Sequence, residues 1–291
     1  MLDADDPELL YHYTDARGLL GILTSGHLWA TEARYLNDAS ELDYTFQLFD
    51  EFVTGAIASS PSVLVEMLQQ ASTVGREAWR DDVLCFVACF CEDKDLLSQW
   101  RAYAHGVGGY AIGFKRREID AASIRRNFGP YEFRRVDYDA EAKKQKLGYE
   151  FVGALQRFVD KPPMNEAERL VMWRSIVSGY FSEVGFNAPL CKSPGFKEER
   201  EWRVVSRESR SILAGTEFQK FRISPTLGLV PYVELDVRVE QGLSRAHIGE
   251  IVIGPAAHPD LTERSLRLLL ASVGYGEDEV LITRSKVPLR A

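Results

Sequence analysis

Phe196-Lys197-Glu198-Glu199-Arg200-Glu201-Trp202-Arg203-Val204-Val205 reads as a β-strand. Trp202, Val204 and Val205 are strand formers, and Gly195 in front of the run is a breaker. Alternate residues of a strand share a face. That rule sends Glu199, Glu201 and Arg203 one way, and Arg200, Trp202 and Val204 the other. Two carboxylates beside a guanidinium form either a solvated edge or the acidic wall of a site.

Working outward, the flanking segments mix strands and helices without strict alternation. Downstream, Val230 to Val239 and Ile248 to Ile253 read as strands, a helix runs from about Leu261 to Val273, and a strand near Val280 to Thr283 follows. Upstream, residues 140–187 read as mostly helical, broken at Lys161-Pro162-Pro163, and as an insertion between strands. Tyr131 to Tyr138 and Tyr110 to Phe114 are strands, the latter entered through Gly106-Val107-Gly108-Gly109. That glycine run is no phosphate loop, because no Gly-Lys-Ser/Thr follows it and a strand comes next. A helix covers about Leu96 to Ala104. Before it, Val83 to Cys91 is an apolar run of strand length.

At the start, Leu9 to Tyr13 is a short strand. Thr14 or Asp15 caps a helix through Leu23, Gly26 stops it, and His27 to Ala30 forms a second strand. Asp38 with Glu41 three residues on is a variant capping box. The helix after it carries Leu42, Phe46, Phe49, Phe52 and Val53 at helical spacing, and Ser60-Pro61 opens another. The expected class is α+β, with residues 1–291 as one domain and a helical insertion at about 140–187.

With 45% hydrophobic residues in 291, the chain can bury a sizeable core. Its apolar runs are too short to cross a bilayer, and Met1 to Asp6 lacks the basic and apolar parts of a signal peptide. A soluble cytoplasmic protein is expected. A net charge of −8 argues against non-specific nucleic-acid binding by the whole surface. Residues 115–146 run against that average, with ten Lys or Arg against six Asp or Glu. A solvated surface is the simpler account, and an anion-binding patch the alternative.

Four cysteines make no disulfide framework. Cys85, Cys89 and Cys91 share one face of their strand as small apolar fillers, and no Cys-x-x-Cys or His cluster points to a metal. His12 sits between two tyrosines on an apolar strand, as a core residue or as a ligand-orienting imidazole. Trp100 and Tyr103 lie three apart on one helix. Arg101 beside them is either a rim residue or a phosphate holder. Glu199 and Glu201 are the sharpest pair. A carboxylate that accepts a sugar 2-hydroxyl stabilises the cationic ring formed when a glycosidic bond breaks.

Taken together, several segments resemble the bacterial domain of unknown function 2971 family. They are Leu10 to Thr14, Gly26 with Leu28-Trp29, Asn37-Asp38-x-x-Glu41, Gln99-Trp100-Arg101-x-Tyr103, Gly109 to Phe114, Lys192 with Phe196-x-x-Glu199-x-Glu201-x-Arg203, Ile251 to Pro255, and Ser285 to Arg290. The His-x-Thr strand and the later Glu-x-Glu also resemble the ADP-ribosyltransferase superfamily, its DNA-modifying toxins included. That resemblance implies a mixed, split central sheet and NAD as co-substrate, with no metal. It implies that His12, with Tyr13 and Thr14 on its strand, holds the nicotinamide ribose. Glu201 would be the catalytic carboxylate, and Glu199 would orient the acceptor. Tyr103 or Tyr110 would stack on nicotinamide, and Arg101 would neutralise a phosphate. Asn37, Asp38 and Glu41 are either a helix cap or part of the ribose or acceptor site. The implied activity cleaves the nicotinamide glycosidic bond and passes ADP-ribose to a protein, a nucleic acid or water. Toxins and antiviral effectors, some with an antitoxin partner, act this way. A non-catalytic nucleotide- or protein-binding module is the rival, and a nuclease using Asp38, Glu41 and Glu201 around a divalent ion is a third reading.

Overall fold

The computed structural model describes residues 6–36, 40–56, 73–74, 76–77, 79, 83–104, 108–124, 131–139, 165–209, 218–238 and 245–288. Over these residues the chain forms a mixed ten-stranded sheet with helices packed on it, an α+β fold. The strands are β1 (Leu9–Thr14), β2 (His27–Glu32), β3 (Val83–Cys91), β4 (Tyr110–Lys115), β5 (Tyr131–Arg135), β6 (Glu201–Ser209), β7 (Lys220–Ser224), β8 (Gly228–Asp236), β9 (Glu250–Ile253) and β10 (Leu281–Arg284). The helices are α1 (Ala16–Ser25), α2 (Ser40–Ala56), α3 (Leu97–Tyr103), α4 (Arg116–Ile124), α5 (Glu166–Asn187) and α6 (Pro259–Ser272).

β3 is the hinge of the sheet. One of its edges pairs with β6 along its whole length, from Val83 opposite Ser209 to Cys91 opposite Glu201. Its other edge is shared by two strands. β2 pairs there through Thr31–Val87 and Glu32–Phe86, and β1 only through Tyr11–Cys91. Beyond those contacts β1 turns away to pair with β4, and β2 to pair with β8. No described strand pairs with that edge between Val87 and Cys91, so the sheet is split there.

Side-chain alternation explains why β3 can sit at the centre. Phe86, Ala88 and Phe90 face a core built with Leu19, Ile22 and Leu23 of α1, Ile119 of α4 and Leu266 and Leu270 of α6. Cys85 and Val87 face the other way, into a cluster with Phe46 and Phe49 of α2 and Met172 and Ile176 of α5. On that second side, β1 and β4 carry a separate cluster of Tyr11, Tyr13, Ala111 and Trp100 of α3.

Local sequence signals account for several boundaries. Asp15 caps α1 by accepting a hydrogen bond from the Gly18 amide at 2.8 Å. Gly26 closes the helix at φ 70°, a left-handed conformation that glycine adopts without strain. Pro259 sits at the start of α6, where its missing N–H costs nothing.

Three expectations need correction. The run from Phe196 is not all strand: Pro194–Glu199 is a 3-10 helix, Arg200 takes φ 41°, and β6 begins only at Glu201. Pro194 at the first turn favours the helix, and a left-handed residue cannot continue a ladder. β5 ends at Arg135, three residues early, after which Asp137 bridges to Cys191. The strand expected at Val230 to Val239 spans Gly228–Asp236 instead. β7 was not foreseen. The Ser60-Pro61 helix start and the Lys161-Pro162-Pro163 break lie outside the described residues.

Candidate functional site

The split opens into a cavity of about 90 Å³ lined by Val87 to Cys91 of β3, Tyr11 to Tyr13 of β1, Trp29 and Thr31 of β2, Leu36, Gln99 and Tyr103, Glu199 and Glu201. Five consecutive β3 residues line it, which requires that it look onto the edge of that strand and not onto one face. His12, from the start of the chain, and Glu201, from two-thirds along it, therefore share one wall system.

His12 stands where a paired strand would otherwise be. Its Nδ1 lies 2.9 Å from the Cys89 carbonyl. A carbonyl only accepts, so Nδ1 carries the proton and Nε2 is left as the acceptor nitrogen. Burial lowers the imidazole pKa below its ordinary value, and the Cys89 carbonyl only partly opposes this. A neutral ring with an acceptor nitrogen is suited to receive a hydroxyl proton.

Glu201 is buried and fully engaged. Its Oε1 accepts from Arg203 Nε at 2.8 Å, and its Oε2 from Arg203 Nη2 at 2.9 Å. Lys192 Nζ reaches the same Oε2 at 3.2 Å. The backbone amide of Glu201 donates to the Tyr138 hydroxyl at 3.0 Å. Burial alone would raise the carboxyl pKa. The charges of Arg203 and Lys192 outweigh it and hold the pKa down at about 2, with help from hydrogen bonds that include the Cys89 thiol. Arg203 is itself fixed, because its Nη1 donates to the Pro189 carbonyl at 2.9 Å.

Glu199 reaches this cluster from the 3-10 segment, not from the strand. Lys192 Nζ lies 2.6 Å from its Oε2, and its backbone carbonyl accepts from the Cys91 thiol at 2.9 Å. Residues 194–198 are all exposed, and Phe196 covers the Lys192 ammonium at 4.8 Å from its ring centroid. Lys192 itself is buried, placed by the Asp137–Cys191 bridge and by its own amide bond to the Asp137 carbonyl.

Tyr103 lines the cavity from α3, and burial raises its phenol pKa. Tyr13 also lines it, yet its hydroxyl is spent on structure: it donates to the Asp93 carbonyl at 2.8 Å and accepts from the Leu96 amide at 3.0 Å. Its ring packs edge-on against Trp100 at 4.7 Å. Three expected residues are not among the lining groups. Arg101 is exposed on the outer side of α3, because Trp100 beside it is buried and successive helical residues diverge by about 100°. Tyr110 lies on β4 opposite Thr14. The Thr14 hydroxyl instead packs over Gly18, where a Cβ would stand only 1.9 Å from it. Asn37 and Asp38 lie outside the described residues. Glu41 is placed only as backbone in α2.

Sequence reasoning quoted Lys192 but gave it no role, because a single lysine carries no spacing signal. Cys85, Cys89 and Cys91 were read from the sequence as small apolar fillers. No disulfide joins the four cysteines, and Cys89 and Cys91 line the cavity. Of the described part of the basic stretch, Arg116 is buried over Trp202, while Arg134 and Arg135 meet Glu132 and Glu92.

A larger depression, about 540 Å³, lies on the outer side of α6 and β10. Arg284 there pairs with Asp260 and Glu263, and none of the residues that line the split borders it. Among the described residues no group of three or more His, Cys, Asp or Glu could hold a metal ion, and no helix is long and apolar enough to cross a membrane.

No curated protein and no solved structure matches the chain. Residues 99–204, from the start of α3 to the middle of β6, match the model of a family described as a protein of unknown function, DUF2971.

Proposed function

We propose that the chain is an ADP-ribosyltransferase-like enzyme that cleaves the nicotinamide glycosidic bond of NAD and passes ADP-ribose to a macromolecule or to water. One observation carries this reading: His12 and Glu201, 189 positions apart in the sequence, line one cavity at a split in the sheet. In this reading the acceptor nitrogen of His12 holds a ribose hydroxyl. Glu201, ionised far below neutral pH, accepts the 2-hydroxyl beside the breaking bond. Its hydrogen bond strengthens as the ring turns cationic. Arg203 keeps the carboxylate charged and also offsets part of that charge. The carboxylate's role is therefore that of a fixed acceptor and not of a proton donor. In this reading Tyr103, which lines the cavity where Tyr110 does not, covers the nicotinamide.

A cavity of about 90 Å³ is below the roughly 300 Å³ of the smallest ordinary ligand sites. Binding a dinucleotide therefore requires the walls to part. The same closure, with both Glu201 oxygens engaged, favours the second reading of a non-catalytic module in which the ion-pair cluster only ties β6 to its neighbours.

Nicotinamide release from NAD, measured on wild type, Glu201→Gln and His12→Asn, separates the two. The transferase reading expects release by the wild type and a loss of about a hundredfold or more in either variant, with both variants folded by circular dichroism. Equal release by Glu201→Gln, or none by wild type with candidate protein and nucleic-acid acceptors present, overturns it in favour of the module.

A further inference from the structure

Resting on the NAD reading, we propose that Lys192 is the residue that binds the substrate's diphosphate, and that Glu199 occupies its place in the closed form as an internal substitute for that anion. Arg101, the cation expected from the sequence to do this, is exposed and touches none of the lining carboxylates, whereas Lys192 sits behind the cavity wall against Glu199 and Glu201, which both line it. Lys192 is buried, and it lies 2.6 Å from Glu199 against 3.2 Å from Glu201. Of the two carboxylates, Glu201 is held in a fork by Arg203 on the sheet, whereas Glu199 rides on a short segment whose residues 194–198 are all exposed.

The charges make the exchange favourable. Lys192 and Arg203 are balanced by Glu199 and Glu201 within this cluster. Withdrawing Glu199 takes from the buried Lys192 the nearer of its two carboxylates, and losing a partner is costly for a buried ion. An anion arriving from solvent removes that cost. The 3-10 segment that carries Glu199 ends at Arg200 with φ 41°, so the strap meets β6 through a left-handed joint and not through continuous ladder bonds. Its departure breaks the Lys192 contact and the Cys91 thiol bond to the Glu199 carbonyl. It also lifts one wall of a cavity otherwise too small for a nucleotide.

Inorganic pyrophosphate, titrated calorimetrically in metal-free buffer at low salt, tests the exchange without any turnover. Glu199→Gln is expected to bind it at least about tenfold more tightly than wild type. Glu198→Gln, the same charge change on the exposed neighbouring residue, is expected to bind it as wild type does. Adding Lys192→Gln to Glu199→Gln abolishes the gain. Should that double variant fail to fold, Lys192→Arg in the same background keeps the charge and should keep the gain. Unchanged affinity in Glu199→Gln, an equal gain in Glu198→Gln, or a gain that survives Lys192→Gln overturns the proposal. Loss of the gain in folded Lys192→Arg does so too. A gain through Lys192 with no nicotinamide release removes the NAD reading and leaves the anion site. Release of nicotinamide with no gain does the reverse.

Discussion

Glu201 ties stability to pH. Its folded-state pKa is about 2 against an ordinary 4.5, so the unfolded chain binds a proton that the native chain refuses. The stabilisation is therefore complete above the ordinary value and is lost as pH falls toward the folded one. The size is roughly 3 kcal/mol by linkage. Denaturant melts between pH 5 and 2 should show wild-type stability falling by about that much more than that of Glu201→Gln. Parallel curves would mean that the ion-pair fork does not form in solution. His12 is also depressed, by burial, and the sign is the same: protons bind the unfolded chain first as pH drops below 6.5. Its imidazole should titrate below the ordinary histidine value in an NMR titration. Nicotinamide release should then be flat through neutral pH, with no inflection at the ordinary histidine value.

At the scale of elements, the strap and its joint carry the testable physics. Arg200 at φ 41° pays a left-handed penalty that glycine avoids. Its contacts to Glu92 and Asp93, at 3.8 and 3.6 Å, are exposed and weak. Arg200→Gly should be neutral or stabilising by up to about 1 kcal/mol, and Arg200→Val should be less stable than the glycine variant by about 1–2 kcal/mol; equal melting temperatures for the two would show that the joint is not left-handed. Gly254 is a second local constraint. A Cβ there would stand 2.8 Å from the Trp100 ring and 3.0 Å from the Gly109 carbonyl. Gly254→Ala should cost about 1–3 kcal/mol and displace α3, and unaltered thermal unfolding would show that the contact yields freely. These elements differ in how far their residues announce them. α1 was legible at both ends because Asp15 and Gly26 act through local backbone chemistry, and β3 because nine apolar residues leave little choice. The break at Arg200 was hidden, since arginine gives no compositional sign of a left-handed conformation, although Pro194-Gly195 marked a turn just before it. β7 was missed because Lys220–Ser224 is a short edge strand with no buried residue. Glu199 and Glu201 were correctly seen as neighbours in space for the wrong reason: a lysine gathers them, not strand periodicity.

For the whole molecule, the site exists because distant segments are held around one strand edge, and no window of sequence shows that. β1 and β2 leave β3 in different directions because each finds a longer pairing elsewhere, with β4 and with β8. α3 arrives at the split only because Trp100 is locked by its Nε1 bond to Asp95 and packs against Tyr13. A ligand that bridges these parts must stabilise all of them together, since it binds the folded chain alone. At a ligand concentration of a hundred times Kd the gain is about 2.7 kcal/mol, which in a chain of this length raises Tm by roughly 4 °C. On the NAD reading, NAD should therefore shift the melting curve of Glu201→Gln, expected to bind it without consuming it, by about that amount. The same concentration should leave His12→Asn unmoved. A shift that is the same in both variants would place NAD elsewhere on the protein. No shift in Glu201→Gln at millimolar NAD would leave the split as a structural seam, closed by the pairs that line it.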